Sequence, residues 1–197
     1  MTTSTRLFRT ILLIAAAALT AGCIGSSPSA RFYTITPLTM QPAAKSRAIS
    51  LSIAPVEIPD YLERPQIVTR DGSNTIELSE FHRWAGSLSE NISTVMAENL
   101  AQLLDSDKVF TLPRSRADRP DYLLSVRVLR LDCTPGKQVQ LKAQWTLFSA
   151  KDKKELTTRM ESFTESLKDD KHEAIVAGIS RTLEQLSRKI AQEIAQQ

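Results

Sequence analysis

Apolar and polar positions along this chain follow two periods, and the changes of period divide it into elements. Residues 138–148 alternate cleanly. Val139, Leu141, Ala143, Trp145 and Leu147 fall on one face, and Gln140, Lys142, Gln144 and Thr146 on the other. A period of two marks a strand with one buried side. Residues 31–36 and 48–54 alternate likewise and are rich in aromatic and β-branched side chains. Residues 66–70 and 75–78 flank Asp71-Gly72-Ser73-Asn74, a sequence suited to a hairpin turn because Gly and Asn accept positive φ at low cost. Residues 109–112 read as a short strand stopped by Pro113, and residues 121–131 as a long apolar one. Pro135-Gly136 turns the chain into the alternating strand. A more polar strand over 156–167 changes phase between Met160 and Phe163, which predicts a bulge.

Two stretches carry the helical period instead. Ser87 and Glu90 have the spacing of a capping box. Leu88, Ile92, Val95, Met96, Leu100, Leu103 and Leu104 then form one apolar stripe. Near the C-terminus Asp170 and Glu173 resemble a cap, ahead of a stripe of Val176, Ile179, Leu183, Leu186, Ile190 and Ile194. Strands, helix, strands, helix is the order of an α+β fold. The expected architecture is a mainly antiparallel sheet with two amphipathic helices packed on one face. Residues 31–197 are long enough for one domain with a real core.

The N-terminus has a different logic. Arg6 and Arg9 precede the apolar run ILLIAAAAL, and small residues lead from there to Cys23. Residues 1–22 have the layout of a secretory signal peptide and are too short in apolar length to span a bilayer. The run Leu19-Thr20-Ala21-Gly22-Cys23 resembles the lipobox of bacterial lipoproteins, although Thr20 stands where leucine is favoured. That resemblance implies cleavage before Cys23 and lipidation of its thiol. Residues 23–30 (CIGSSPSA) form a short tether. Several acyl chains hold a protein firmly where one holds it marginally, since each buried CH2 contributes ~0.8 kcal/mol. Ile24, in place of an aspartate, implies sorting to the outer membrane, facing the periplasm.

Charge narrows the choice of partner. The chain has 25 Lys and Arg against 22 Asp and Glu; residues 1–22 carry two of the arginines and no acid, which leaves 23 cations for the rest. Such a balance gives no nucleic-acid footprint. Cys133 is the one cysteine beyond Cys23, so the mature domain has no internal disulfide and Cys133 reads as a small buried hydrophobe. No cofactor or metal motif is present. His82 and His172 are the only histidines, there is no G-x-S-x-G elbow, and a hydrolase would have to pair His82 with Asp60 or Asp71.

One stretch is denser than a plain core requires. Residues 61–70 (YLERPQIVTR) are followed by Phe81-His82-Arg83-Trp84-Ala85 just ahead of the first helix. Trp, Tyr and Arg dominate protein interfaces, so Tyr61, Arg64, Gln66, Arg83 and Trp84 are candidate partner-binding residues. The other reading makes Trp84 a core residue and pairs the arginines with nearby acids. The lipobox, the early Phe32-Tyr33 strand, the run Leu62-Glu63-Arg64-Pro65-Gln66-Ile67-Val68 and Arg83-Trp84-Ala85 together resemble the PqiC (YmbA) family of ABC-type transport auxiliary lipoproteins. Glu63 stands where that family usually carries Asp. The resemblance implies a non-enzymatic subunit of an intermembrane lipid transport system, able to form ring-like homo-oligomers. It would receive a PqiB-like, MCE-domain tunnel protein at the outer membrane. The alternative is a lipoprotein activator or scaffold of a periplasmic cell-wall enzyme.

Cys23→Ser is expected to leave the protein soluble or uncleaved. Membrane fractionation and the intact mass check this, and normal outer-membrane fractionation of the variant would refute lipidation at Cys23.

Overall fold

The computed structural model describes residues 28–39, 49–72, 74–112 and 120–197. Cys23, the signal segment and most of the tether lie outside the described residues. Eight strands run in chain order: β1 (Arg31–Tyr33), β2 (Leu51–Ile53), β3 (Gln66–Asp71), β4 (Thr75–Trp84), β5 (Val109–Thr111), β6 (Tyr122–Thr134), β7 (Gln138–Ser149) and β8 (Lys154–Ser166). The helices are α1 (Leu88–Leu104), between β4 and β5, and α2 (His172–Ile194), at the end. They build an α+β fold with two sheets, ordered β1-β4-β3 and β5-β2-β6-β7-β8.

Both sheets are mixed. The long ladders β3–β4, β6–β7 and β7–β8 are antiparallel, as the alternation predicts. The short pairs β1–β4, β2–β5 and β2–β6 are parallel. The direction of the β2 pairs follows from connection: α1 lies between β2 and both β5 and β6, and a crossover through a helix returns the chain in the same sense. Three-residue strands carry too little pattern to announce this.

The β7 alternation holds throughout, with Val139, Leu141, Ala143, Trp145 and Leu147 all buried. On β6 the inward set is Leu124, Val126 and Val128, then Leu131 and Cys133. The register shifts between Val128 and Arg130, so Leu129 is the extra residue that changes the phase. The bulge expected between Met160 and Phe163 is not there. Both residues are in regular register with β7, opposite Gln144 and Leu141, and residues three apart on a strand already face opposite ways. The β8 irregularity sits at Leu156, opposite the Leu147/Phe148 step.

The helices pack on each other and against the buried face of the larger sheet. α1 starts as its cap predicts: the Ser87 hydroxyl accepts from the Glu90 amide at 3.3 Å. It ends on Asp105 in the left-handed region at φ 51°, which a short polar residue tolerates. α2 departs from expectation. Its N-cap is Lys171 without a side-chain cap bond, and Asp169 rather than Asp170 accepts from the Lys171 amide. Gly178 lets α2 approach β7 closely, because a Cβ there would stand 2.8 Å from Leu167 Cδ2 and 2.9 Å from Val139 Cγ2.

A polar row on α1 positions what has no regular structure. Asn91 Oδ1 accepts from the Ile35 amide at 2.8 Å, and the fully buried Asn99 accepts from the Leu38 amide at 2.8 Å. Ser93 accepts from the Val56 amide, and Gln102 donates to the Leu38 carbonyl. Asn99 also faces α2, its amide nitrogen 3.4 Å from Ser187 Oγ.

Asn99→Ala is expected to cost about 2–3 kcal/mol of unfolding free energy, because it strands the buried Leu38 amide as well as leaving a gap. Chemical denaturation checks this. A change within the ~0.5 kcal/mol typical of surface substitutions would sink the assignment.

Candidate functional site

The dense stretch of the sequence becomes one hairpin and its approach. Pro59 leads into a single 3-10 turn, Asp60–Leu62, whose Leu62 is buried. The Trp84 amide donates to the Pro65 carbonyl at 2.7 Å, and the Ala85 amide to the Tyr33 carbonyl at 2.9 Å, so three segments converge at Trp84. Phe81 to Trp84 belong to β4, not to a lead into the helix. β4 runs on to Trp84, past the expected end at residue 78, where β1 supplies a second neighbour for it.

The five candidate partner residues end up in different places. Trp84, 6% exposed, is part of the core. Tyr61 is half-buried against that core and, after Asp132, is among the groups that raise the pKa of the Arg70 guanidinium. Arg64 is half-buried, with its Nε enclosed and without an acceptor among the described residues. Gln66 is half-buried on β3, in register with Arg83. Arg83 folds back, its Nε donating to the Glu80 carbonyl at 3.0 Å. Tyr61, Arg64, Gln66 and Arg83 therefore keep part of their surface at the hairpin, while Trp84 fixes the hairpin from within.

The structure also assembles a cluster that sequence reading missed. His82 on β4 and His172 at the start of α2 stack face to face, with ring centroids 3.7 Å apart and planes 6° from parallel. Tyr33 on β1 brings its hydroxyl 2.7 Å from His82 Nδ1 and donates to Glu173 Oε1 at 3.2 Å. With the hydroxyl proton directed at Glu173, the Nδ1–H of His82 is the donor to the tyrosine oxygen. Arg31 pairs with the same Glu173 oxygen at 3.1 Å, and Ser79 Oγ lies 2.7 Å from His172 Nε2. Ninety residues separate the two histidines, so no motif spacing could have joined them. His82 thus meets Tyr33 and His172, not the Asp60 or Asp71 that a triad would require.

Electrostatics define what the cluster can do. Burial, then the neighbouring His82, holds His172 below its usual 6.5, against the opposing pull of Glu173. The helix N-terminus beside it also disfavours a cation. Glu173 is held below the usual carboxylate range, chiefly by a backbone amide at the helix start, then by Tyr33 and Arg31. Ser79 and His172 form the first half of a nucleophilic pair. The stack and the depressed basicity of His172 make the same contacts a clasp between sheet and helix. On the other side of the hairpin, Asp132 of β6 accepts from Arg70 of β3 and lies 3.5 Å from Arg130 Nε. This pair joins the two sheets. Beside it the Cys133 thiol is buried and pushed up to about 12, by burial first and by Asp132 second, so it is inert as a nucleophile. Among the described residues no group of three or more His, Cys, Asp or Glu is placed to hold a metal ion.

Protonation should open the clasp. The unfolded chain leaves His172 near 6.5 while the fold holds it lower, so the unfolded state takes the proton first as pH falls. Stability is then full above about pH 6.5 and declines below it, a window in which Tyr33, raised, and Glu173, lowered, keep their charge states. Thermal midpoints measured at pH 7.5 and 5.5 are expected to drop for the native chain and to drop less for His172→Gln. Equal drops would exclude the stack as the cause.

A shallow hollow of about 230 Å³ lies beside the cluster, between Tyr33, Trp84 and the first turn of α1. With this geometry the chain is similar to two solved structures. One is an uncharacterised protein with 17% identity and a TM-score of 0.69, over 85% of this chain and 99% of that one. The other is a protein from Xanthomonas campestris, also 17% identical, with a TM-score of 0.64 over 85% of this chain and 100% of that one. At such identities the likeness shows the fold alone. No curated protein matches. The description of one family, "ABC-type transport auxiliary lipoprotein component", matches residues 33–191, which takes in the hairpin, both helices and the histidine clasp. The chain belongs to the family of ABC-type transport auxiliary lipoproteins, and is in that sense a lipid-anchored envelope component that serves a transporter.

Proposed function

We propose that this protein is a non-enzymatic docking subunit of an MCE-type intermembrane lipid transport system. It is anchored through Cys23 to the outer membrane, faces the periplasm and receives a PqiB-like, MCE-domain tunnel protein, so supporting envelope integrity. The observation that carries this reading is the family match across nearly the whole domain, since an auxiliary component works by attachment to a transporter. The way the chain spends its chemistry supports it. Both histidines stack on each other, and the tyrosine and serine nearby bond to them, so these groups hold β1 and β4 to α2. The exposed parts of Tyr61, Arg64, Gln66 and Arg83 sit on a hairpin braced from within by Trp84 and across to β6 by Arg70 and Asp132. A braced hairpin loses little freedom on binding, which favours affinity.

The deciding experiment is recovery of partners from detergent-solubilised envelopes on the full-length lipoprotein, read by mass spectrometry. The expected result is an MCE-domain protein. Recovery of a cell-wall synthase instead would replace this reading with that of an enzyme activator. Arg64→Ala is expected to keep the fold and weaken binding of the partner by about thirtyfold or more, the size of an interface hot spot. Trp84→Ala is expected to cost about 3–5 kcal/mol of stability, as a buried aromatic does. Full partner recovery by Arg64→Ala would remove that residue from the interface.

A further inference from the structure

Four of the five large apolar side chains open to solvent among the described residues are on the small sheet. They are Phe32 on β1, 66% exposed, and Phe81, Ile76 and Leu78 on β4, at 42%, 38% and 38%. Register places them together. Gln66, Val68 and Arg70 alternate along β3 and so share a face; their partners are Arg83, Leu78 and Ile76. Phe32 is the parallel partner of Arg83, and Phe81 stands two residues before Arg83. The opposite face carries Tyr33, Ser79 and His82, which meet α2. One face of the small sheet is thus committed to the helix; on the other, β3 is occupied, with Val68 buried and Arg70 paired with Asp132 of β6, while the apolar side chains of β1 and β4 stay open to the outside.

The chain reaches this face from the side of Cys23. Pro28, Ser29 and Ala30 are exposed and lead directly into β1. Nine residue steps separate Cys23 from Phe32, at most about 30 Å of extended chain. That is no more than the hydrocarbon thickness of one bilayer. An acylated Cys23 therefore keeps Phe32 within reach of the lipid surface at all times.

We infer that the outer face of β1 and β4, led by Phe32 and Phe81, rests on the phospholipid surface of the membrane that holds the anchor and orients the domain there. This inference rests on the reading of Cys23 as the anchor. Phenylalanine side chains enter the headgroup–acyl boundary readily, to a depth of about 5–10 Å for an interfacial apolar face. The anchor supplies attachment and the sheet face supplies orientation; Gln66 and Arg83 border that face beside Phe32, and Tyr61 and Arg64 precede it on the approach to the hairpin.

The test uses the full-length lipidated protein in vesicles of phosphatidylethanolamine and phosphatidylglycerol. A polarity-sensitive dye is attached at Phe32→Cys or Phe81→Cys, with Lys142→Cys as control; buried Cys133 stays unlabelled. The expected result is a blue shift at positions 32 and 81 and loss of emission with spin-labelled lipids, both absent at 142. Water-like emission at 32 and 81 in protein that floats with the vesicles would overturn the lipid face while leaving the anchor intact. A blue shift without quenching by lipid would overturn it in favour of a second copy on this face. Protein that fails to float, with an unmodified Cys23 by mass, would overturn the anchor and this inference together.

Discussion

Buried backbone amides need acceptors, and in this fold α1 supplies several of them where no strand does. The chain after β1 runs through Ile35 and Leu38, both buried. Their amides bond to Asn91 and Asn99, one on each of two well-separated turns of the helix. The segment after β2 does the same through Val56 and Ser93. Because an unmet buried amide costs about 1–3 kcal/mol, these side chains decide where β1 and β2 leave their sheets. Asn99 also touches Ser187 of α2, so the two helices and the extended segment share one buried polar point. A purely apolar α1 would leave those segments without a defined path.

That path determines the small sheet. β1 adds only three residues beside β4, yet it delivers Tyr33 and Arg31 to the start of α2. The histidine stack and the Ser79 contact close the same junction from β4. On the far side, Arg70 and Asp132 join β3 to β6. The hairpin is consequently held from two directions, which is what a docking element needs if its exposed residues are to meet a partner in a fixed arrangement. Trp84 belongs to this bracing. Its burial explains why an aromatic residue is needed at the hairpin without being on its surface.

The proposed roles share the small sheet, with Gln66 and Arg83 at the border between the partner residues and the apolar face. Its inner face serves stability and carries the titratable clasp. Its outer apolar face includes Phe32 of β1, the strand into which the tether leads. The approach through Tyr61 and Arg64 reaches the sheet at Pro65, whose carbonyl accepts from the Trp84 amide. A transport auxiliary protein has to be both attached and oriented, and separate surfaces let one requirement be met without spending the residues of the other.

Periodicity determined the parts of this protein whose stability is local in pattern. The β7 alternation, the α1 and α2 stripes, the Ser87 cap and the Gly72 turn, which takes φ 76°, all follow from side chains a few residues apart. The signal and tether around Cys23, and the motif from Leu62 to Val68 with Arg83 to Ala85, were enough to point to the family. Tertiary structure alone decided the rest. The parallel pairing of β2 arises from the crossover through α1, and three-residue strands have no period to read. Leu129 is a bulge because β7 pairs around it, although the shift from Val128 to Leu131 left a trace in the apolar pattern. Asn91 and Asn99 look like ordinary polar positions until the amides they serve are seen. His82 and His172 meet only because β4 and the start of α2 are packed together. The sequence specifies a contact when its partners are neighbours along the chain; when folding must first bring them together, only the fold reveals it.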